Sequence, residues 1–163
     1  MTILTDDMIK RLSEEEKIIP KDFAKRIKTK PKSGQQYDEQ ELDIQGKEGN
    51  LFSIILRKNR IDFLDFSIIL RYQDSKTGNR FNLARYNGRH AHTNLLEGDR
   101  FHDFHTHTAT QRYQEAGLRI EAYAKATRAY HSFKEALEAF LKDFRFRPEL
   151  PETAKTLVDF GGG

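Results

Sequence analysis

The pattern of hydrophobic and polar residues predicts helices towards both ends of the chain. Thr5 or Asp6 can cap a first helix that runs through about Ile18 along a thin apolar stripe. A short second helix is expected over residues 22–28. A capping box at residues 132–135 opens a third, well-defined helix, whose apolar side chains have the spacing of a core-facing stripe.

The middle of the chain has the composition of β-strands. Residues 51–59 and 63–72 are rich in β-branched and aromatic residues, and residues 81–87 follow the turn sequence QDSKTGN. A further helix is expected over residues 108–116, with Gly117 as its stop. The weaker strand candidates are residues 40–45, 101–107 and 118–126.

Alternation within residues 63–72 divides this strand into an apolar face and a mixed face. We expect the apolar face to pack on helices and the mixed face to stay open. The same alternation in the following strand places Arg85 on the face of Phe81 and Leu83. The apolar face of the first strand consists of Leu64, Phe66, Ile68, Leu70 and Tyr72, and its mixed face of Asp65, Ser67, Ile69 and Arg71.

The order of helix, strands and helices predicts an α+β fold. We expect a single domain with an antiparallel meander sheet of about five strands and helices packed on one face. Residues 1–36 are interpreted as an N-terminal helical segment and a basic linker, the linker covering residues 28–36. Residues 37–147 form the predicted core domain, and residues 148–163 the predicted flexible C-terminal tail.

Composition narrows the range of functions. The chain has 163 residues, a net charge of +3 and no cysteine, so disulfides and thiolate chemistry are excluded. The N-terminus is too polar for a signal peptide, and no apolar run approaches the length that spans a bilayer. We therefore expect a cytoplasmic protein without membrane association, in which a local basic patch could bind nucleic acid.

The candidate chemistry is concentrated in residues 85–113, which contain five of the six histidines. Two pairs have the His-x-His spacing, which places both imidazoles on one face of an extended strand. Asn87-Gly88 is a turn signal, because both residues tolerate a positive φ. It predicts that the first histidine pair folds back over the second, within reach of a shared ligand. The pairs are His90 with His92 and His105 with His107.

The leading hypothesis is cleavage of RNA or of a nucleotide phosphodiester by histidine-based acid–base chemistry. His105 and His107 would exchange protons, Asp103 would orient an imidazole, and Arg85 would stabilise developing negative charge. This ribonuclease or phosphodiesterase activity requires no metal and no other cofactor. The additional candidate binding residues are His90, His92, Arg71, Tyr86, Tyr113 and Tyr123.

Two alternatives remain open from the residues. The first is a metal held by the four paired histidines, because imidazole suits zinc, copper, nickel and iron. His90-Ala-His92 followed by Glu97 resembles part of the cupin metal motif, although the flanking glycines of that motif are missing. The second is a binding module without catalysis, in which aromatic side chains stack on the bases of RNA or a nucleotide.

The segment also resembles known families. The pattern FSIILRY, RYNG-x-HxHTN, FHxH-x-AT-x-RY-x-x-G and YA-x-x-T, over roughly residues 50–145, resembles a small prokaryotic family of unknown function. Residues 85–107 are similar, more distantly, to the histidine segment of TumE-type toxins, although Asn87 stands where those toxins carry Asp. This resemblance implies a toxin-like or defence-related role, with an antitoxin or other protein partner and possible homo-oligomers.

Overall fold

The computed structural model describes residues 2–31 and 36–149. The elements, in chain order, are α1 (Asp6–Glu14), β1 (Lys17–Ile19), α2 (Phe23–Arg26), β2 (Lys28–Pro31), β3 (Tyr37–Gln45), β4 (Leu51–Asn59), β5 (Phe66–Gln73), β6 (Arg80–Asn87), β7 (His92–Thr93), β8 (Arg100–Phe101), β9 (His105–Thr108), α3 (Gln111–Glu115), β10 (Tyr123–Ala126), α4 (Phe133–Asp143) and β11 (Phe146–Pro148).

The main sheet is an antiparallel meander of seven strands in the order β10-β9-β6-β5-β4-β3-β2. The predicted α+β class and meander are confirmed, but the sheet has seven strands where about five were expected. One extra strand is β2, which was interpreted as part of a linker. Its lysine-rich sequence suits an edge strand, where charged side chains discourage pairing with other molecules.

The hydrophobic core lies on one face of this sheet, beneath α1 and α4. The alternation predicted for β5 is confirmed, because Phe66, Ile68 and Leu70 are almost fully buried in the core. Ser132 caps α4 by accepting a hydrogen bond from the backbone N–H of Glu135, as the capping box predicted. The other face carries charged and polar side chains around two buried isoleucines, Ile55 and Ile69, and below we call it the open face.

Both ends of the described chain belong to the core structure. β1 and β11 pair in parallel, and Ile19 in β1 is completely buried. The predicted linker is therefore wrong over Lys28–Pro31, which forms β2, while residues 32–35 lie outside the described residues. Of the predicted tail, Pro148 belongs to β11 and Glu149 donates its N–H to the Ile19 carbonyl, whereas residues 150–163 lie outside the description.

A β-bulge in β6 corrects the predicted orientation of Arg85. Leu70 pairs with Ala84 but the next residue of β5 pairs with Asn82, so Leu83 has no partner in the register. The extra residue reverses the alternation. Leu83 and Phe81 therefore contact the core, and Arg85 lies on the open face instead of sharing their face.

The segment between β6 and β9 is a separate small hairpin. The strand predicted over residues 101–107 is interrupted, because Phe101 pairs with His92 in the β7–β8 hairpin and the main sheet resumes only at His105.

No helix in the described part of the chain is long and apolar enough to cross a membrane.

Candidate metal centre

The register of β6 and β9 places polar side chains opposite one another on the open face. Asn87 pairs with His105, and Arg85 pairs with His107. On the other side of β6, Ser67 of β5 pairs with Asn87. His105 and His107 therefore lie on one strand and share a face, as the His-x-His spacing predicted, and the bulge in β6 brings Arg85 to the same face.

Three imidazoles converge at this point. One possible ligand nitrogen from each of His92, His105 and His107 lies within 4.8 Å of the other two, and we call these residues the histidine centre. The ring of His92 is 5.4 Å from that of His105 and 4.7 Å from that of His107, centroid to centroid. The β7–β8 hairpin thus folds back over β9, which confirms that part of the prediction.

His105 and His107 are held by backbone carbonyls. Nδ1–H of His105 donates to the carbonyl of Asp103, and Nδ1–H of His107 donates to the carbonyl of Glu121, each at 2.8 Å. Because a carbonyl can only accept, both rings are protonated on Nδ1 and carry their lone pair on Nε2. This is how proteins commonly orient a metal-binding histidine.

His92 is oriented by Asn94, which the sequence reading did not single out. Asn94 is 1% exposed, and its side-chain amide pairs with the edge strand β10 by accepting from the Ala124 N–H and donating to the Ala124 carbonyl. Its Oδ1 is 2.9 Å from His92 Nε2. Since Oδ1 accepts from both groups, Nε2 of His92 is the protonated nitrogen and Nδ1 carries the lone pair.

Burial keeps His105 and His107 neutral. It lowers the pKa of His105 to about 4 and that of His107 to about 2, and the neighbouring histidines contribute in the same direction. A neutral imidazole is the form that binds a metal. The geometry does not favour the predicted acid–base roles of these two residues, because a general acid or base works best with a pKa near the operating pH.

A pocket of about 490 Å³ adjoins the centre on the open face. Asn87 and His90 line the pocket and also contact the histidine centre. Nδ2 of Asn87 lies 3.3 Å from Nε2 of His105 in the centre and 3.4 Å from Nε2 of His90. We call it the open-face pocket, and its walls are formed by Tyr37, Glu39, Arg57, Asp65, Ser67, Arg85, Asn87 and His90.

Gly88 holds the rim of this pocket together. A Cβ at this position would lie 1.9 Å from the carbonyl oxygen of Leu64, so only glycine lets the two loops approach. The Arg89 N–H donates to the same carbonyl at 2.8 Å. Neither Asn87 nor Gly88 has a positive φ, so the conformational reason predicted for this turn does not apply. The glycine is required instead by its close approach to Leu64.

His90 lies at the boundary between the pocket and the centre. Its side chain is 41% exposed, and its Nδ1 is 3.8 Å from Oδ1 of Asp65. Partial burial lowers the pKa of His90, and the Asp65 carboxylate opposes that shift. At neutral pH His90 is therefore an unprotonated, accessible imidazole with a carboxylate beside it.

Arg85 is the least satisfied cation of the pocket. Its side chain is 15% exposed, and its Nε finds no hydrogen-bond partner among the residues that the structure describes. Nη2 is 3.7 Å from the buried Glu121 carboxylate, which also lies 2.7 Å from Arg119. Burial lowers the pKa of Arg85 to about 10, so the side chain remains charged at neutral pH.

Several residues predicted for the site have other roles. Asp103 does orient His105, but through its backbone carbonyl, and the residue is exposed outside the strand. Tyr86 lies on the core face, where it stacks on Tyr130 and donates its hydroxyl hydrogen to Asp143. Tyr86 therefore does not line the open-face pocket. Its position beside the bulge in β6 could not be anticipated from alternation alone.

Three more of the predicted binding residues lie outside the pocket lining, namely Tyr113, Tyr123 and Arg71. Tyr113 is fully buried, and its hydroxyl donates to Glu97 in the β7–β8 hairpin. The guanidinium of Arg112 lies 4.9 Å from both tyrosine rings, so that face of Tyr123 is covered. Arg71 is on the open face but is paired with Glu41 at 3.2 Å. These positions support the hairpin and the sheet instead of a ligand.

No family model, no curated protein and no solved structure matches this chain. The resemblances to a prokaryotic family and to TumE-type toxins remain predictions.

Proposed function

We propose that this protein binds a divalent transition metal at His92, His105 and His107 and uses it for hydrolysis. The observation that carries the proposal is the convergence of three imidazoles, each of which has one ring nitrogen hydrogen-bonded to an oxygen acceptor. Three histidine ligands with a remaining open position are a known arrangement of catalytic zinc sites.

The spacing of the histidine centre suits such an ion after a small contraction. Zinc–nitrogen bonds of about 2.0–2.1 Å place the nitrogens of a tetrahedral site roughly 3.4 Å apart. The three nitrogens already lie within 4.8 Å of one another. His92 belongs to a short two-stranded hairpin, so its ring can approach the metal without disturbing the main sheet.

A bound metal of this class acts as a Lewis acid and lowers the pKa of a water molecule. His90 supplies the complementary proton transfer, because it is unprotonated at neutral pH and Asp65 stabilises the imidazolium that forms. In hydrolysis, the water oxygen joins the electrophilic atom and the ester bond breaks. The proton of the water passes to His90 and then to the leaving oxygen.

The biological role, the substrate class and the partners of the protein are also part of this proposal. We retain the hypothesis of a cytoplasmic, toxin-like or defence-related protein that acts on RNA or a nucleotide, and we replace its metal-independent chemistry with a metal-assisted reaction. What supports this change is the burial of His105 and His107, which makes them poor proton carriers and suitable ligands. An antitoxin or a second copy of the chain as partner stays a prediction.

The direct test is metal content and affinity. Purified protein is stripped with chelator, titrated with Zn²⁺ and Co²⁺, and analysed by elemental mass spectrometry and by the visible spectrum of the cobalt form. We expect one ion per chain, and a loss of more than about 100-fold in affinity in His107→Ala. His102→Ala and His131→Ala are matched controls, because both histidines are exposed and outside the centre.

Two results would overturn the proposal. One is a wild-type protein that binds neither ion stoichiometrically. The other is a loss of affinity in the two control variants that equals the loss in His107→Ala. Retained binding in the controls, together with hydrolysis of phosphate esters that stops on addition of chelator, would support both halves of the proposal.

A further inference from the structure

We propose that the open-face pocket binds a small phosphate ester of about mononucleotide size, with its phosphoryl group on Arg85. This inference rests on the proposed function, because the adjoining metal would act on the bound phosphoryl group. It goes further by naming the substrate class and the residue that anchors it.

The first argument is the hydrogen-bonding capacity of Arg85. A guanidinium carries five N–H donors in a rigid fork that matches the oxygens of a phosphoryl group. No hydrogen bond from Arg85 to another residue is found in the described part of the chain, and its nearest carboxylate is 3.7 Å away. A buried charged donor without an acceptor is costly, so an oxyanion ligand would complete its environment.

The second argument is the charge around Arg85. Arg119, Arg57 and Arg71 are all near enough to lower its pKa, in addition to the larger effect of burial. Arg57 and Arg71 are paired with carboxylates of their own, Glu39 and Glu41, whereas Arg85 and Arg119 share the single carboxylate of Glu121. The pair Arg85 and Arg119 therefore carries one positive charge that Glu121 does not balance, and an anionic phosphate ester would balance it.

The pocket lining also offers hydrogen-bond acceptors. Asp65 accepts from the hydroxyl of Tyr37 and from Nδ2 of Asn59, the latter at 3.1 Å. Carboxylates have further lone pairs after two such bonds. They can therefore accept from the hydroxyl or amino groups of a sugar or base. The ligand thus has an anionic end at Arg85 and a donor-bearing end near Asp65.

The size of the pocket separates a small ligand from a polymer. Its volume of about 490 Å³ is within the range that holds a single small molecule, roughly 300–1,000 Å³. The two loops that meet at Gly88 and Leu64 bound it on one side. A long RNA requires a continuous groove instead, and its phosphates would contact exposed basic side chains.

The experiment compares ligands that differ in one group. Zinc-loaded protein is titrated by calorimetry with 5′-AMP, adenosine and inorganic phosphate, and the Nε–H resonance of Arg85 is followed by NMR. We expect 5′-AMP to bind at least tenfold more tightly than adenosine and to shift that resonance. Arg85→Gln should lose at least tenfold in affinity for 5′-AMP, whereas Arg89→Gln, at an exposed position, should not.

Metal content measured on the same samples keeps the two proposals separate. If zinc does not bind but Arg85→Gln still weakens 5′-AMP, the metal proposal fails and the ligand site stands. If zinc binds normally, this inference is overturned by equal affinities for adenosine and 5′-AMP, by unchanged binding in Arg85→Gln, or by absence of binding. Tight binding of a 20-nucleotide RNA with no binding of 5′-AMP would equally overturn it in favour of a polymer.

Discussion

Lys17 and the histidine centre are both basic groups removed from water, but their hydrogen bonds are completed differently. Lys17 is 0% exposed, and four carbonyl oxygens, those of Leu12, Ser13, Glu15 and Phe144, lie 2.8–3.1 Å from its Nζ. Its ammonium group thereby closes the C-terminal end of α1 and joins it to the end of α4. Every donor of Lys17 is used.

The imidazoles of His105 and His107 each use one nitrogen in a similar way, but the second nitrogen differs. Their Nδ1–H groups are bonded to carbonyls, while their Nε2 lone pairs point towards other imidazoles or towards the Asn87 amide. Burial lowers the pKa of Lys17 only to about 8, so it stays charged at neutral pH, whereas both histidines are neutral. The contrast is that backbone carbonyls use every donor of Lys17, whereas His105 Nε2 has only a long contact of 3.3 Å with the Asn87 amide, which a ligand can replace.

The largest expected effect is on the free energy of unfolding, and it distinguishes Lys17 from the histidine centre. Lys17→Met leaves the carbonyls at the end of α1 without their donor and removes the cation beside the buried Glu15 carboxylate. We expect a loss of about 3–5 kcal/mol in the free energy of unfolding, measured with urea. Metal affinity of the folded variant should not change. Lys10→Met, on the exposed side of α1, is the control, and an equal loss there would contradict the contrast.

The pH dependence of the metal-free protein tests the histidine centre itself. The pKa values of His105 and His107 are lower in the folded chain than the unfolded value of about 6.5. Unfolding therefore takes up protons below that pH. The stability that these residues confer is present above the unfolded pKa and is lost as the pH falls towards about 4 for His105 and about 2 for His107. The loss for the pair is roughly 2 kcal/mol between pH 6 and 5.

The variant His107→Asn tests whether His107 causes part of this loss of stability at low pH. The substitution removes the titrating imidazole, while Nδ2 of Asn can still donate to the Glu121 carbonyl. The difference in unfolding free energy between pH 6 and 5 should fall by about 1 kcal/mol in this variant. His131→Asn, at an exposed position, should keep the wild-type difference. An unchanged pH dependence in His107→Asn would mean that the residue is not held neutral by burial.

A separate expected effect concerns Asn94, which acts on the centre through His92. Asn94→Ala removes the acceptor of His92 Nε2–H and both bonds to Ala124. We expect zinc affinity to fall by about 10–100-fold, because the loss of a hydrogen bond behind a ligand has that effect in other metal sites. Asn79→Ala, in the exposed β5–β6 turn, is the matched control. Equal zinc affinities in the two variants would show that Asn94 only supports the hairpin.

The local sequence determined much of the sheet and the location of the candidate site. Alternation in β5 identified its buried face, the capping box identified the start of α4, and the histidine spacing placed two imidazoles on one face of β9. These features depend on neighbours along the chain, which is why they could be predicted. The edge strand β2 could not, because its pairing with β3 comes from backbone hydrogen bonds that its lysine-rich sequence does not indicate.

Only the tertiary structure decided which nitrogen atoms are free. The bulge at Leu83 turned Arg85 towards the open face, and the carbonyls of Asp103 and Glu121 fixed the tautomers of the two buried histidines. Asn94 reached β10 across 30 positions of sequence to orient His92. Burial and hydrogen-bond acceptors from distant segments set the charge of an imidazole, so the choice between acid–base chemistry and metal binding depends on contacts that residue spacing does not specify.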